Sequence, residues 1–197
     1  MNLLGCESIR LAALLLLVTA ACATTAGPPT IRPNAQRDAT GVELAQSFPA
    51  ETTLAHPTLR TARDVWLEMI RGATKTIDIE QFYVASRPGE ALDAILKALE
   101  AAGGRGVRIR LIVSKMLAHE DPATLDRIRQ IPRAAVRVLD LAPLVGGIQH
   151  AKFWVVDGRI AFVGSQNFDW RSLAHILELG VRVSERAVVS QLIGIFE

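Results

Sequence analysis

A histidine and a lysine two residues apart, His150-Ala151-Lys152, open the stretch of the chain best suited to chemistry. Alternation along an extended run puts both side chains on one face, about 6–7 Å apart along the chain. An imidazole can attack phosphorus, and a neighbouring ammonium can neutralise a non-bridging oxygen, so the pair suits a phosphate. Asp157-Gly158 follows as a hairpin signal. The return strand leads to Gly164-Ser165-Gln166-Asn167, a tight turn that aims hydroxyl and amide donors back towards His150. Glu178 lies on a later extended run, where a carboxylate could hold one imidazole nitrogen and leave the other free. The candidate catalytic residues are therefore His150, Lys152, Asn167, Glu178 and Asp157, with Lys152, Ser165 and Asn167 as phosphate-binding groups. Asp157 has a second reading, since Asp-Gly is also what a tight hairpin needs.

The elements that must position these groups are legible in the hydrophobic pattern. Ala62, Val65, Trp66, Met69 and Ile70 recur at helical spacing over residues 61–73, and Leu92, Ile95, Leu96 and Leu99 do so over 89–102. Between and after them, residues 75–84, 107–113 and 135–139 read as strands. Asp121-Pro122 has the form of a helix N-cap followed by proline. This alternation predicts an α/β domain whose early strands are parallel. From residue 149 the texture changes: 149–156 and 159–163 form a hairpin, 176–183 a further strand, and a last helix runs from Ser184 to the final residue. A chain stopping inside a helix suggests half of something longer. His56, His119 and His175 lack any supporting pattern and read as surface or packing residues, and Trp154 and Trp170 as core or pocket wall.

Composition limits the alternatives. The chain has 197 residues, 50% of them hydrophobic, and a formal charge of +2, which suits one ordinary domain and gives little electrostatic footprint for a polyanion. Cys6 and Cys22 are the two cysteines, so the body of the chain has no disulfide framework, cysteine-ligated zinc or iron–sulfur cluster. No histidine pair has ligand spacing either, and neither metal nor cofactor is expected. Residues 1–22 read as an export signal, with Arg10 ahead of the apolar run 11–18 and small residues after it. Val18-Thr19-Ala20-Ala21-Cys22 resembles a bacterial lipobox, which would make Cys22 a lipidation site; a signal-peptidase cut after Ala23 is the rival. Residues 23–48, with Pro28, Pro29 and Pro33, read as a flexible tether, and 49–197 as the domain. The expected location is periplasmic, on the outer membrane as a lipoprotein, or secreted.

His150, Lys152 and Asp157 followed by Gly164, Ser165 and Asn167 match H-x-K-x4-D and x6-G-S-x-N, and so resemble the phospholipase D superfamily. The stretches around them, residues 150–157, 167–173 and 178–181, look like the branch containing lysosomal single-strand exonucleases and a viral envelope phospholipase. Residues 79–83 and 106–110 look like earlier strands of that branch, so the likeness covers roughly 45–197. The resemblance implies an α-β-α sandwich with a mixed sheet and a metal-independent, two-step reaction. One histidine attacks the phosphodiester to form a phosphohistidine, and a histidine from a second motif protonates the leaving group and then activates water. Glu178 stands where the family places its histidine-orienting carboxylate.

This sequence carries one motif where that branch carries two. Three functions follow as expectations: a phospholipase D acting on phospholipid, placed first; an exported nuclease acting on single-stranded nucleic acid; and an inactive half. The second histidine would come from a homodimer or from a missing C-terminal half, and Cys22 could supply membrane attachment.

Overall fold

The computed structural model describes residues 41–197; the expected export signal, Cys22 and the expected tether up to residue 40 lie outside the described residues. The first helix of the sequence pattern is α1 (Ala62–Gly72), started by the Thr61 hydroxyl, which accepts a hydrogen bond from the Asp64 N–H. It is followed by β3 (Thr76–Gln81), the short β4 (Val84–Ala85), α2 (Ala91–Gly104) and β5 (Arg108–Ser114). α3 (Pro122–Arg129) starts as expected at Asp121, whose carboxylate caps the Thr124 N–H, and leads into β6 (Ala134–Leu139). After a one-turn helix, α4 (Ala142–Val145), come β7 (Phe153–Val156) and β8 (Ile160–Gly164). The chain continues through β9 (Phe168–Asp169), α5 (Trp170–Ala174), β10 (Glu178–Val183) and α6 (Arg186–Phe196).

Eight strands make one mixed sheet, in the order β2-β1-β10-β8-β7-β3-β5-β6, with β1 (Val42–Ser47) and β2 (Arg60–Thr61) at one edge. β3, β5 and β6 run parallel, as the alternation of strands and helices predicts, and β7, β8 and β10 add antiparallel partners. Both faces are covered, and β7 shows how. Trp154 and Val156 point into the core shared with α1, α2 and α3, while Phe153 and Val155 point into a smaller core with Val189 and Phe196 of α6. The result is the α-β-α sandwich. Its larger core centres on Trp66 of α1, whose ring lies 4.8 Å from that of Trp154 and meets Phe162 edge-on at 5.6 Å. Such aromatic pairs add about 0.5–1.5 kcal/mol each beyond the area they bury.

Two boundaries differ from the sequence reading. The tether expected over 23–48 ends sooner, because Val42–Ser47 is β1, paired antiparallel with β10. Its pattern hides it: Leu44 faces outwards, while Glu43, Gln46 and Ser47 are buried. Glu43 is neutralised by Arg60 at 2.9 Å and Arg182 at 3.1 Å, so an ion cluster takes the place of an apolar face. β7, expected from residue 149, begins at Phe153, so His150-Ala151-Lys152 forms the approach to the strand.

The hairpin between β7 and β8 turns at Asp157 and Gly158, whose φ values of 54° and 62° are both left-handed, as a type I′ turn requires. The Asp157 carboxylate accepts hydrogen bonds from the Thr74, Lys75 and Thr76 N–H groups and from the Thr74 hydroxyl, all between 2.7 and 2.9 Å. It stitches the hairpin to the loop between α1 and β3. Burial alone would raise its pKa, but the donors from Thr76, Thr74 and Lys75 outweigh that and hold it below the usual value. The clamp is therefore complete above about pH 4 and is lost as pH falls through the depressed value. Asp157→Asn keeps a residue that tolerates left-handed backbone but halves the acceptors. It should cost about 2 kcal/mol and lower Tm by several degrees. Thermal unfolding at pH 7 and at pH 3 checks this, with a smaller gap between wild type and variant at pH 3; an unchanged Tm at pH 7 contradicts it.

Candidate functional site

One end of the central strands gathers most of the candidate residues. There β3 ends, the approach to β7 enters, β8 turns towards β9, and β10 begins beside the end of β1. Hydrogen bonds fix these segments to one another: Gly164 N–H donates to the Lys152 carbonyl, Ser165 N–H to the Leu179 carbonyl, and Glu178 pairs in register with Ser47. The segment carrying His150 is seated by Gln149, a buried residue whose amide donates to the Glu80 carboxylate at 3.0 Å. Burial pushes the Glu80 carboxyl up against the opposing effect of that bond. Asp78, two residues earlier, is engaged by Arg110 at 2.6 Å, so the two alternating carboxylates of β3 serve different partners.

His150 is exposed, and Lys152 reaches it directly. The Lys152 Nζ lies 3.0 Å from the imidazole Nε2, 3.4 Å from Nδ1 and 3.1 Å from the His150 carbonyl oxygen. Phe82 packs edge-on against the imidazole with centroids 4.5 Å apart, and Lys152 lies 5.5 Å over the same Phe82 ring. Partial desolvation, reinforced by the Lys152 ammonium, lowers the His150 pKa and so favours the neutral imidazole, the form that can attack. Desolvation also lowers Lys152, and Glu178 works against it by favouring the charged amine.

The Glu178 carboxylate acts on Lys152, and no hydrogen bond among the described residues joins it to His150. Burial raises its pKa, the Ser172 hydroxyl and Lys152 oppose the rise, and Asp169 adds to it. Its Oε2 is buried without a hydrogen-bond partner, as is Oδ1 of Asn167. Two expected site residues are occupied with structure. The Ser165 hydroxyl is exchanged with the Leu179 backbone at 3.3 Å, which ties the turn to β10 and leaves no free donor for a phosphate. Asp157 lies at the far end of β7 from Lys152, five residues or about 16 Å away along an extended chain. With its oxygens engaged by the 74–76 loop, it positions the hairpin and stands apart from the reacting groups.

Other residues of the site escaped the sequence reading. Gln166 is buried, with its amide 3.4 Å from the Ser47 hydroxyl, and it fills the space left by two glycines. A Cβ on Gly164 would stand 2.2 Å from the Gln166 Oε1, and one on Gly180 would stand 2.2 Å from the Phe162 ring. Tyr83 donates to the fully buried Asp169 at 2.6 Å, and Arg171 bonds Asp169 through its backbone and guanidinium. The Phe82-Tyr83 pair directly after a strand was the available signal.

Fold and site together define an α-β-α domain with a histidine–lysine centre suited to phosphoryl chemistry. The chain belongs to the phospholipase D superfamily: residues 66–197 match the family described as "Cardiolipin synthase, PLD-like domain". It is 34% identical over 138 residues to the virion nicking-joining enzyme of vaccinia virus, covering 68% of this chain and 32% of that protein. It is 34% identical over 169 residues to the 5'-3' exonuclease PLD3 of Bos taurus, covering 78% of this chain and 33% of that one. The chain thus spans about a third of the length of these curated relatives. Among solved structures, Nuc from Salmonella typhimurium, described as a phospholipase D family member, superposes with a TM-score of 0.60 at 23% identity. That match covers 79% of this chain and 90% of Nuc. NucT from Helicobacter pylori gives 0.60 at 16% identity, over 68% and 83% of the two chains. At these identities the structures establish the fold.

The electrostatics make a direct prediction. The His150 imidazole should titrate below the ordinary value of about 6.5, and Lys152→Met should move it upwards by removing the adjacent ammonium. An NMR titration of the histidine ring protons reads this; a His150 value at or above 6.5 that ignores Lys152 contradicts it.

Proposed function

We propose that this chain is a phosphodiester hydrolase working through a phosphohistidine at His150, with single-stranded nucleic acid as its substrate. The observation that carries the proposal is the neutral-leaning, exposed imidazole with an ammonium 3.0 Å from its Nε2. In the first step an imidazole nitrogen attacks phosphorus, a P–N bond forms, the P–O bond to the leaving group breaks, and an acid supplies the proton to the departing oxygen. In the second step water attacks phosphorus and gives its proton to the conjugate base of that acid, the P–N bond breaks, and His150 returns to neutral imidazole. Lys152 neutralises a non-bridging oxygen, and Glu178 sustains the charge on Lys152. Asn167, whose amide oxygen is buried without a partner, takes the role of directing its NH2 group at the phosphate. The acid is not among these groups, so a second copy of the motif must bring it, from a homodimer or from a further segment of chain.

The preference for nucleic acid rests on the relatives, one named an exonuclease and another a nicking-joining enzyme. The phospholipid reading is favoured by a different feature. Leu144 and Val145 of α4 are 75% and 72% exposed, and with Ile148, Leu177 and Leu179 they form an apolar fringe on the segments that carry His150 and Glu178. Export through residues 1–22, and attachment through Cys22 as a lipoprotein, belong to the same proposal.

A labelled single-stranded oligonucleotide and a labelled phospholipid, offered separately, decide between the substrates. His150→Ala should abolish turnover of the preferred one while the fold persists by circular dichroism. Lys152→Ala and Asn167→Ala should each lower kcat by about 10²–10³-fold, the scale of losing one preorganised charge or donor. Turnover should survive EDTA; loss on chelation with recovery on adding zinc or calcium contradicts the mechanism. Activity should also track the dimer in sedimentation, and a monomer of this chain that turns over fully contradicts the shared site.

A further inference from the structure

Phe82 begins a line of side chains that runs outwards from His150 across the surface. Its ring touches His150 on one side and meets Tyr83 on the other, with centroids 5.7 Å apart. The Tyr83 hydroxyl accepts from Arg171 at 3.3 Å, Arg171 lies 5.7 Å over the Trp170 ring, and Arg87 is stacked on that indole at 3.8 Å. From His150 outwards the line thus passes two rings and then alternates guanidinium, ring and guanidinium. We propose that Phe82, Tyr83, Arg171, Trp170 and Arg87 form a track that holds a single-stranded polynucleotide as it leaves His150. This rests on the nuclease reading above and names the surface that would implement it.

Three features fit a polynucleotide. Arg87 and Arg171 are exposed, and Arg87 forms no ion pair among the described residues, so its in-plane N–H groups remain available while its face lies on Trp170. Arg171 is held in place by the fully buried Asp169, which orders the guanidinium before any ligand arrives. Tyr83 adds to the same anchor. Burial, followed by its bond to Asp169, pushes the phenol up to about 12, so it stays a neutral ring beside the Arg171 guanidinium. Alternating π-faces and guanidinium groups suit a ligand that itself alternates bases and phosphates, since bases stack on rings and on guanidinium planes alike. A single headgroup would use one position of such a line. The modest charge of +2 is compatible, because a track of this kind needs only the local pair Arg87 and Arg171.

The test measures kcat/KM for a dinucleotide and for a ten-nucleotide single strand, in wild type, Arg87→Glu and Arg87→Lys. Arg87 is an exposed loop residue, so these variants should fold as wild type does. In wild type the longer strand should be the better substrate. Arg87→Glu should reduce that advantage about tenfold, the scale of one lost stacking or phosphate contact, and make the salt dependence shallower by about one charge. Arg87→Lys should recover part of it, keeping the charge but losing the planar stack. A length advantage identical in wild type and Arg87→Glu overturns the track and leaves the nuclease reading standing. A wild type that cleaves neither oligonucleotide overturns both. Equal weakening of Arg87→Glu on anionic lipid vesicles, with oligonucleotide kinetics unchanged, assigns the surface to a membrane and overturns the track.

Discussion

The grip of Asp157 on the loop between α1 and β3 is the constraint from which the site's geometry follows. β7 has only four residues, yet it occupies the middle of the sheet between β8 and β3. A one-residue slip would turn Trp154 out of the large core and Phe153 into it. Four hydrogen bonds at the turn fix the register at one end of the strand, and the Trp154 ring against Trp66 fixes it from the side. The opposite end of the same strand delivers Lys152 and His150. A carboxylate about 16 Å away therefore sets where that pair stands.

Around that frame, the site is tuned by charges that are few and individually placed. His150 is kept towards its neutral form by partial desolvation and by Lys152, while Glu178 offsets the desolvation of Lys152. Both carboxyl groups near the centre, Glu80 and Glu178, are shifted upwards by burial, which limits the negative charge an incoming phosphate must meet. Negative charge at Asp169 is offset by Arg171 and by the Tyr83 hydroxyl. The pattern is a site that carries positive charge at its surface and has its acids protonated more readily or paired beneath it.

Much of this was legible in the sequence, and the exceptions share one cause. Helices α1 and α2 announce themselves because each packs one apolar stripe, and the parallel β3, β5 and β6 follow from the helices between them. Asp121-Pro122 marks α3 because capping is a local interaction. The His150-Lys152 pair was readable because short spacing survives folding. β1 was not, since Ala45 is the one small apolar residue among its inward positions, and the buried Glu43 is satisfied by Arg60 and Arg182 at distances along the chain that no local pattern encodes. The same holds for the Gln149–Glu80 seat and for Gln166 against Ser47, which are contacts between residues 69 and 119 positions apart. Asp157 is the instructive case. Its type and spacing belong to the motif, and only the partners of its carboxylate separate a clamp from a reacting group.

The central claim is that His150 forms a covalent bond to phosphorus. Rapid quench of the protein with an end-labelled single-stranded oligonucleotide, under denaturing alkaline conditions that preserve a P–N bond, followed by peptide mass mapping, tests it directly. The account predicts a phosphorylated or nucleotidylated peptide containing His150, labile in acid, stable in base and absent from the His150→Ala protein. Full turnover with no adduct at His150, or with the label on another side chain, would contradict it.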